Sequence, residues 1–317
     1  MGHFLKREGK SMKKVNILLS AFNGEKYIEE QIRSILAQKD VKIHLIIRDD
    51  GSTDNTVKII RSIQKENGNR IDLIEGENVG YRKSFYLLLC ARDKNSDYYA
   101  FSDQDDVWMS EKLIVAIKKL ECENEKWLYS SALILTDKNL RKISFRSQKN
   151  VRQTLKSFFI RTRLSGCTMV FKPELAEIAG NIQISSVENV SLPDHDAFLC
   201  MISLASGKKI IIDDHAYIFH RRLENSVTAG RGIKKRVLVE YNRIFKRKNS
   251  YTNAASMLLK KKDEIQINAD NISFLKNVMW SNKNRKARVC LFFDKEFSSG
   301  IFGADALIRI KIMHRIY

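Results

Sequence analysis

Three carboxylates lie within four residues in the segment SDQDDVW, which follows a strand-like apolar run at residues 98–101. Alternate residues at the end of a strand point to the same side and adjacent ones diverge, so two or three oxygens of Asp103, Asp105 and Asp106 can face one point. A hard divalent cation prefers such oxygen ligands and shares its other positions with water and substrate phosphates. Acidic loop residues are also common as solvated groups. This segment by itself therefore leaves both interpretations open.

A second acidic segment, RDDGSTD, places Asp49 and Asp50 at another predicted strand end, before Gly51, a residue that permits a tight turn with positive φ. Residues 52–54 would cap the following helix whatever the function. The simplest interpretation of this segment is therefore a strand, a turn and a helix cap. The alternative is that the Asp49 carboxylate accepts hydrogen bonds from a nucleobase or ribose, as acidic residues do in other nucleotide sites.

Composition limits the class of protein. The 317 residues are 44% hydrophobic and 9% aromatic, which excludes wholesale disorder and allows one large core or two smaller ones. The formal charge of +19 suits a polyanionic partner, namely nucleic acid, an anionic membrane or a phosphorylated substrate, or else a solvated basic surface. The five cysteines form no CxxC pair, which argues against a disulfide framework or zinc ribbon and favours a reducing cytosol. No apolar run approaches the ~18 residues of a spanning helix, and the basic start lacks the apolar run of a signal peptide.

Short apolar runs alternate with amphipathic segments along the first hundred residues. VNILLS, IHLIIRDD, IDLIE and YYAFSD are typical of strands, and the segments between them are typical of helices, the second capped by Thr53 or Asp54. This alternation predicts an α/β fold with a mostly parallel central sheet flanked by helices. Ligands of such sheets bind beyond the carboxyl ends of the strands. We therefore expect the loops SAFNGE, RDDGSTD, ENVGY and SDQDD to form one site.

The chain divides into three predicted parts: a basic extension at 1–12, an α/β domain at 13–230 and a basic, mainly helical region at 231–317. The segment RGIKKRVLVEYNRIFKRK, at 231–248, has an apolar and a basic helical face, and LLKKKDE adds further charge. Such a helix suits an anionic membrane interface, or it packs on the α/β domain or on another subunit with its lysines solvated.

The order of SAFNGEKYIEEQIRSILAQ, RDDGSTDNT, NVGYRKSF and FSDQDDVW resembles that of family 2 glycosyltransferases with the GT-A fold, most closely the bacterial rhamnosyltransferase-like branch. The resemblance covers residues 13–225. It implies an inverting, metal-dependent transferase that moves a sugar from a nucleotide-sugar donor to a glycan or lipid-linked glycan acceptor. It also implies a role in bacterial cell-surface polysaccharide or glycoconjugate biosynthesis, in the cytoplasm or peripherally on the inner face of the cytoplasmic membrane.

The resemblance assigns roles to individual residues. Asp103 and Asp105 match the DxD motif that binds Mn²⁺ or Mg²⁺, and Asp106 is a nearby candidate ligand. Asp196, in LPDHDAFLC, matches the catalytic base, and helix capping by Asp194 or Asp196 is compatible with that role. The implied donor contacts are Ala21, Asn23, Glu25, Asp49, Asn78, Gly80, Asp103 and Arg221. The strand LSGCTMVF with its surroundings implies an acceptor side made of Gly166, Cys167 and His195, in which Cys167 is a buried packing residue rather than a nucleophile.

The chain departs from the family pattern at two places. Ala197 and Phe198 replace two tryptophans, which alters the acceptor pocket rather than the chemistry. The family segment YRQHGNN appears here as HRRLENS, so Arg221 keeps the arginine position while Leu223 replaces the histidine. Two interpretations of His220 and Arg222 stay open. One of them takes over the diphosphate or metal contact of that histidine, or both have a core or surface role.

Three other functions compete with this interpretation. A sugar nucleotidyltransferase needs a glycine-rich phosphate loop, and SAFNGEKY has one glycine. A processive polysaccharide synthase needs spanning helices and a QxxRW motif. A basic nucleic-acid-binding α/β protein explains the positive charge but not the acidic segments at strand ends. We therefore expect a nucleotide-sugar donor and a glycan acceptor as partners, no nucleic acid, and leave an anionic membrane surface and homo-oligomerisation open.

Overall fold

The structure of the protein is a computed structural model, and it describes residues 11–161, 164–181, 192–223 and 250–315. The strands are β1 (Lys13–Ala21), β2 (Val41–Asp49), β3 (Ile71–Glu75), β4 (Tyr98–Ser102), β5 (Val107–Trp108), β6 (Leu128–Thr136), β7 (Lys142–Arg146), β8 (Val170–Phe171) and β9 (Ile211–Arg221). The helices are α1 (Ile28–Leu36), α2 (Thr56–Asn67), α3 (Tyr81–Ala91), α4 (Lys112–Cys122), α5 (Leu155–Phe158), α6 (Pro173–Gly180), α7 (His195–Ala205), α8 (Ser250–Lys260), α9 (Lys262–Ile265), α10 (Ala269–Trp280), α11 (Arg285–Phe293) and α12 (Phe302–Met313).

All described strands belong to one sheet, in the order β3-β2-β1-β4-β8-β6-β9-β5. Strand β7 pairs with the C-terminal residues of β6, from Leu133 to Thr136. The first four strands in this order run parallel, and so do β6 and β9. The antiparallel pairings are shorter and involve β5, β7 and β8. The predicted α/β fold with a mostly parallel sheet is thus confirmed.

Both faces of the sheet are covered, because the strands that form its centre are apolar at consecutive positions. In β1, Ile17 and Leu19 belong to the same buried cluster as the α1 residues Ile28, Ile32 and Ile35, whose spacing of four and three residues places them on one helical face. The intervening Leu18 joins a second cluster, on the side of α3, α6 and α7. The sheet therefore separates two cores and is held rigid between them.

The C-terminal helices share the second of these cores with the sheet. Phe159, which follows α5, meets Phe274 of α10 edge to face at 5.4 Å between ring centroids, and Phe274 also contacts Phe297. The Lys156 ammonium adds ion pairs with Asp294 and Glu296, both at 2.8 Å. The helical character predicted for the C-terminal region holds where it is described, whereas the amphipathic segment 233–248 and the predicted domain boundary at 230 lie outside the described residues.

Two local predictions are wrong. The segment LSGCTMVF is not a continuous strand, because Gly166–Thr168 forms a 3₁₀ turn and only Val170–Phe171 pairs with the sheet. Helix α2 starts at Thr56 with Asn55 at its N-cap position, so neither Thr53 nor Asp54 occupies that position. The Asp54 carboxylate instead accepts hydrogen bonds from the backbone N–H groups of Thr56 and Glu25 and so joins two loops.

Among the described helices, none has the length and the apolar character that a membrane span requires.

Because the C-terminal helices and the sheet share one buried core, we expect them to unfold together. We expect Phe274→Ala to lower the free energy of unfolding by about 3–5 kcal/mol, because it empties a site between Phe159 and Phe297 in the common core. Denaturant titration followed by circular dichroism measures this change and should show one transition. Phe293→Ala is the control, because Phe293 is 73% exposed and its removal should change stability by less than about 0.5 kcal/mol. Two separate transitions in the Phe274 variant would contradict the shared core.

Candidate active site

The four predicted site loops leave the sheet at one edge. Ala21 at the end of β1 is opposite Asp49 at the end of β2, and Asp49 is opposite Glu75 at the end of β3. β4 ends at Ser102, which pairs with Leu19 near the end of β1. This alignment is the reason that side chains more than twenty residues apart in the sequence come together here.

The loop after β1 is hydrogen-bonded to the loop after β2. The Asn23 side-chain oxygen accepts from the Thr53 backbone N–H at 2.8 Å, and the Asn23 backbone N–H donates to the Ser52 hydroxyl. The Glu25 carboxylate accepts from the backbone and side chain of Asn55 at 3.1 and 2.9 Å. Asn23 adopts a left-handed backbone, with φ of 48°, a conformation that asparagine tolerates better than most residues. Both predicted donor contacts therefore help to hold the shape of the site wall.

The Asp49 carboxylate is directed into its own turn. It accepts the backbone N–H groups of Gly51 and Ser52 at 3.2 and 2.9 Å, and Gly51 has φ of 80°. A Cβ atom on Gly51 would lie 2.9 Å from the Asn78 backbone nitrogen, so the loop after β2 can approach the loop after β3 only with glycine at this position. Gly51, whose N–H the Asp49 carboxylate accepts, therefore lies against Asn78, which is exposed.

A buried ion pair between Arg48 and Asp50 positions the loop after β3. The Asp50 carboxylate also accepts the backbone N–H groups of Val79 and Gly80 at 3.0 and 2.9 Å, and Arg48 donates to the Glu77 carbonyl. Sequence reasoning gave neither charged residue a role. The available signal was an arginine at the end of an otherwise apolar strand, IHLIIRDD, because a buried arginine requires a partner.

The loop after β4 contributes to a compact group of possible metal ligands, which we call the acidic group: Asp103, Asp106, Cys167 and His220. One ligand atom of each residue lies within 4.8 Å of those of the other three. His220 Nδ1 is 2.9 Å from one Asp106 carboxylate oxygen, and the other oxygen is buried without a hydrogen-bond partner among the described residues. This unpartnered oxygen fits a bound cation. Asp105 does not belong to the group as the structure describes it.

The electrostatics of this loop show an excess of negative charge. Burial and the neighbouring carboxylates raise the pKa of Asp103 to about 8 and the pKa of Asp105 to about 6. Burial lowers the pKa of His220, but the Asp106 carboxylate outweighs that effect and raises it to about 9. Cys167 lies 4.0 Å from His220, and burial raises the pKa of its thiol well above the ordinary value. A cation at the acidic group would therefore favour the ionised carboxylates.

Two further residues brace this loop. The Gln104 side chain accepts from the Phe22 N–H at 2.8 Å and donates to the Phe22 carbonyl at 2.9 Å, which joins the loops after β4 and β1. Sequence reasoning missed Gln104, although its place between Asp103 and Asp105 gave the signal. From the end of β9, Arg221 donates to the Asp105 carbonyl at 2.8 Å.

The predicted diphosphate contact of Arg221 remains a prediction. Its guanidinium is buried, pairs with Glu30, donates to the Lys138 carbonyl and lies 4.9 Å from the centroid of the Tyr27 ring. Of the two candidates to replace the family histidine, His220 belongs to the acidic group. The Arg222 backbone N–H donates to the Thr136 carbonyl at 2.9 Å.

Asp196, the predicted base, lies in the first turn of α7 and is partly buried. Its carboxylate accepts the Ala197 backbone N–H at 2.7 Å. A Cβ atom on Gly166 would lie 3.2 Å from the Asp196 Cβ, so glycine lets the 3₁₀ turn pack closely against the start of the helix. Burial, followed by the Asp194 carboxylate, raises the pKa of Asp196 to about 7.

The position of Asp194 is fixed by two side chains that follow the loop after β3. Its carboxylate accepts from the Tyr81 hydroxyl at 2.7 Å and from Arg82 Nε at 2.6 Å. Both donors belong to the first turn of α3, directly after Gly80. The loop that carries Asn78 and Gly80 is thus connected to the neighbourhood of Asp196.

His195 is placed in the core rather than on an open surface. Its ring stacks on Phe85 at 3.8 Å between centroids and meets Phe101 edge-on at 4.7 Å. Burial lowers its pKa to about 3, so the ring is neutral. Gly166 and Cys167 adjoin it in the buried 3₁₀ turn. The acceptor-side role of these three residues remains a prediction.

The fold and the acidic strand-end loops define the GT-A class of glycosyltransferases. The family described as Glycosyl transferase family 2 matches residues 16–173. The dTDP-rhamnosyl transferase RfbG of Shigella flexneri is 33% identical over 214 residues, which are 66% of this chain and 72% of that protein. The chain therefore belongs to glycosyltransferase family 2. This membership excludes the nucleotidyltransferase and the non-catalytic nucleic-acid-binding protein as descriptions of the chain.

Two further similarities are weaker, the first in the share of the chains that it covers and the second in sequence identity. The glucosyltransferase WfaP of Escherichia coli, named as acting on α-D-GlcNAc-diphosphoundecaprenol, is 32% identical over 130 residues, 40% of this chain and 49% of that protein. The chain thus matches about half the length of this relative. The mannosyltransferase PcManGT of Pyrobaculum calidifontis, solved with GDP-mannose and Mn²⁺, has a TM-score of 0.50 at 16% identity and covers 94% of this chain and 87% of its own. This last similarity concerns the fold.

The environment of Asp196 predicts how its titration responds to its neighbour. We expect Asp194→Asn to lower the pKa of Asp196 from about 7 toward the ordinary aspartate range, because a negative charge that disfavours ionisation is removed. Carboxyl ¹³C NMR titration measures this pKa, with Asp196→Asn to assign the resonance. Asp270→Asn, on the exposed first turn of α10, should leave it unchanged. An unchanged pKa in Asp194→Asn would attribute the whole shift to burial.

Proposed function

We propose that the protein is an inverting, divalent-cation-dependent glycosyltransferase that transfers a sugar from a nucleotide-sugar donor to a glycan or lipid-linked glycan acceptor. The observation that carries the proposal is that two different carboxylate environments meet at one sheet edge. Gly166 packs on Asp196, the adjacent Cys167 belongs to the acidic group, and the Asp196 charge contributes to the raised pKa of Asp103. One environment suits a cation and the other suits a proton acceptor.

The nucleotide end of the donor is assigned to the loops after β1, β2 and β3. The proposed contacts are Ala21, Asn23, Glu25, Asp49, Asn78 and Gly80, which the paired loops bring to one edge. The similarity to RfbG makes dTDP-rhamnose the first donor to test, and UDP- and GDP-sugars complete the panel. Nucleotide release from each donor measures the preference.

The acidic group fits a divalent cation. Asp103 and Asp106 would hold it, with Asp105 beside them, and His220 would join as a ligand only in its neutral form; a mainly oxygen ligand set suits Mn²⁺ or Mg²⁺. When bound, such a cation supplies Lewis-acid stabilisation of the departing nucleoside diphosphate. PcManGT, which shares the fold, was solved with Mn²⁺ and a nucleotide sugar.

Asp196 is proposed as the general base that takes a proton from the acceptor hydroxyl. A pKa of about 7 suits this role, because the carboxylate is substantially ionised near neutrality and is still basic enough to accept a proton. The N-terminus of α7 favours its ionised form. The acceptor oxygen then attacks the anomeric carbon in a single displacement, which inverts its configuration. A β-linked donor such as dTDP-L-rhamnose would give an α-linkage.

The similarity to WfaP supports a lipid-linked acceptor in bacterial cell-surface polysaccharide biosynthesis. An acceptor of this kind would be met on the inner face of the cytoplasmic membrane. A peripheral position there is part of the proposal. Glycan acceptors with and without a lipid diphosphate, offered with the preferred donor, test this part.

Metal dependence is tested by removal and return. We expect EDTA to abolish transfer and Mn²⁺ or Mg²⁺ to restore it. Electron paramagnetic resonance of Mn²⁺ should show a loss of affinity of more than about tenfold in Asp103→Asn, because a ligand matters at least as much as its supporting residues. Asp105→Ala should lose donor binding and turnover together. Asp270→Asn is the control. If Asp103→Asn and Asp105→Ala kept full activity in the presence of EDTA, the metal assignment would be contradicted.

The base is tested by separating donor binding from transfer. We expect Asp196→Asn to keep donor binding nearly intact, because the Asp196 carboxylate accepts from the Ala197 N–H rather than holding a nucleotide loop, and to reduce transfer by about 10²-fold or more. Calorimetry measures binding and product formation measures transfer. Asp194→Asn should retain more activity. If Asp196→Asn turns over like the unmodified protein, the role passes to Asp194.

A further inference from the structure

The last two described helices expose large apolar side chains. The exposed fractions are 45% for Val289, 73% for Phe293, 90% for Phe302, 54% for Ile310 and 55% for Met313. Single exposed apolar residues are common on soluble proteins, but a continuous patch marks an interaction surface. The question is therefore whether these five side chains belong to one surface.

Helical spacing places them together. On α12, Phe302, Ile310 and Met313 follow one another by eight and three residues and so share a face, while Ile308 and Ile312 on the other face are buried. On α11, Val289 and Phe293 are four residues apart and share a face opposite Leu291.

Arg309 joins the two helices at this point. Its guanidinium donates to the carbonyls of Phe292 at 3.1 Å, Asp294 at 3.3 Å and Phe297 at 3.1 Å. The end of α11, which carries Phe293, therefore lies against the turn of α12 that carries Ile310. We call this exposed face the α11–α12 surface.

Positive charge predominates around the α11–α12 surface, because exposed bases outnumber the acids Asp294, Glu296 and Asp305. Its exposed bases have no acidic partner in the part of the chain that the structure describes: Lys283, Arg285, Lys286, Lys295 and Arg315. The acids of the same segment are engaged elsewhere, since Asp294 and Glu296 pair with Lys156 and Asp305 accepts from Ser298 and Ser299. The surface thus combines aromatic and aliphatic side chains with uncompensated positive charge.

We propose that the α11–α12 surface docks on an anionic lipid bilayer, with Phe293 and Phe302 at the depth of the headgroup boundary. Apolar side chains ringed by lysine and arginine suit that interface, because the acyl boundary accepts the rings and anionic headgroups neutralise the bases. A second copy of the chain is a poorer occupant, since a twofold interface would bring the same unpaired bases against one another.

Vesicle flotation of the full chain tests the proposal without donor or acceptor, so its outcome is independent of the proposed transfer reaction. We expect co-flotation with phosphatidylcholine vesicles that contain phosphatidylglycerol at low salt, weaker binding as salt rises, and none with phosphatidylcholine alone. Phe293→Ser/Phe302→Ser should weaken partitioning by at least about tenfold. Arg285→Glu/Lys286→Glu should weaken it as well.

Matched controls use exposed apolar and basic residues elsewhere in the chain. Ile143→Ser/Phe145→Ser removes two half-exposed apolar side chains from β7, and Lys58→Glu/Lys65→Glu reverses two exposed charges on α2. Both controls should bind like the unmodified protein, and melting temperatures should show that every variant is folded.

Three results would overturn the proposal. The first is absence of binding to anionic vesicles at low salt. The second is unchanged binding of Phe293→Ser/Phe302→Ser, which would move the membrane contact elsewhere in the chain. The third is a dimer, detected by sedimentation, that this double variant dissociates, which would assign the surface to a second copy.

Discussion

The crowding of carboxylates at the end of β4 is the constraint on which the site depends. Asp103 and Asp106 are brought close together in a partly buried loop, where burial and the Asp106 carboxylate disfavour ionisation of Asp103. The structure supplies one positive partner, His220, from the end of β9. The Asp106 oxygen without a partner in the described structure leaves room for a second positive charge. The sheet makes this arrangement possible, because β5, which follows the loop, pairs with β9 and so brings His220 to it.

Ion pairs also hold two other parts of the site. Asp50 is paired with Arg48 and holds the loop after β3, and Asp194 is paired with Arg82 beside the proposed base. Each carboxylate also accepts hydrogen bonds beyond its ion pair, which is what makes a buried or half-buried charge tolerable. A loop fixed in this way costs little ordering when a donor binds. The rigid sheet between two cores supports these loops from below.

The C-terminal helices show how one region can serve two purposes. One side of it is buried in the core through Phe274, Phe297 and Ile308, which gives it a fixed position relative to the sheet. The other side presents apolar and basic groups to its surroundings. Since the position is fixed, anything that binds the exposed side would also orient the site edge. This is a geometric consequence of packing, and it requires no conformational change.

The sequence by itself determined the alternation of strands and helices and the order of the site loops. Ile28, Ile32 and Ile35 are spaced for one helical face, and the strand runs are short and apolar, so local periodicity was sufficient. The family resemblance rested on motifs that are contiguous in the chain. Tertiary structure alone decided the rest. It selected Asp106 rather than Asp105 as the partner of His220, placed the Arg221 guanidinium on Glu30, formed a 3₁₀ turn from residues 166–168 and stacked His195 on Phe85. These contacts join residues that are far apart in the sequence, and local spacing carries no information about which distant side chains the folded sheet brings within reach.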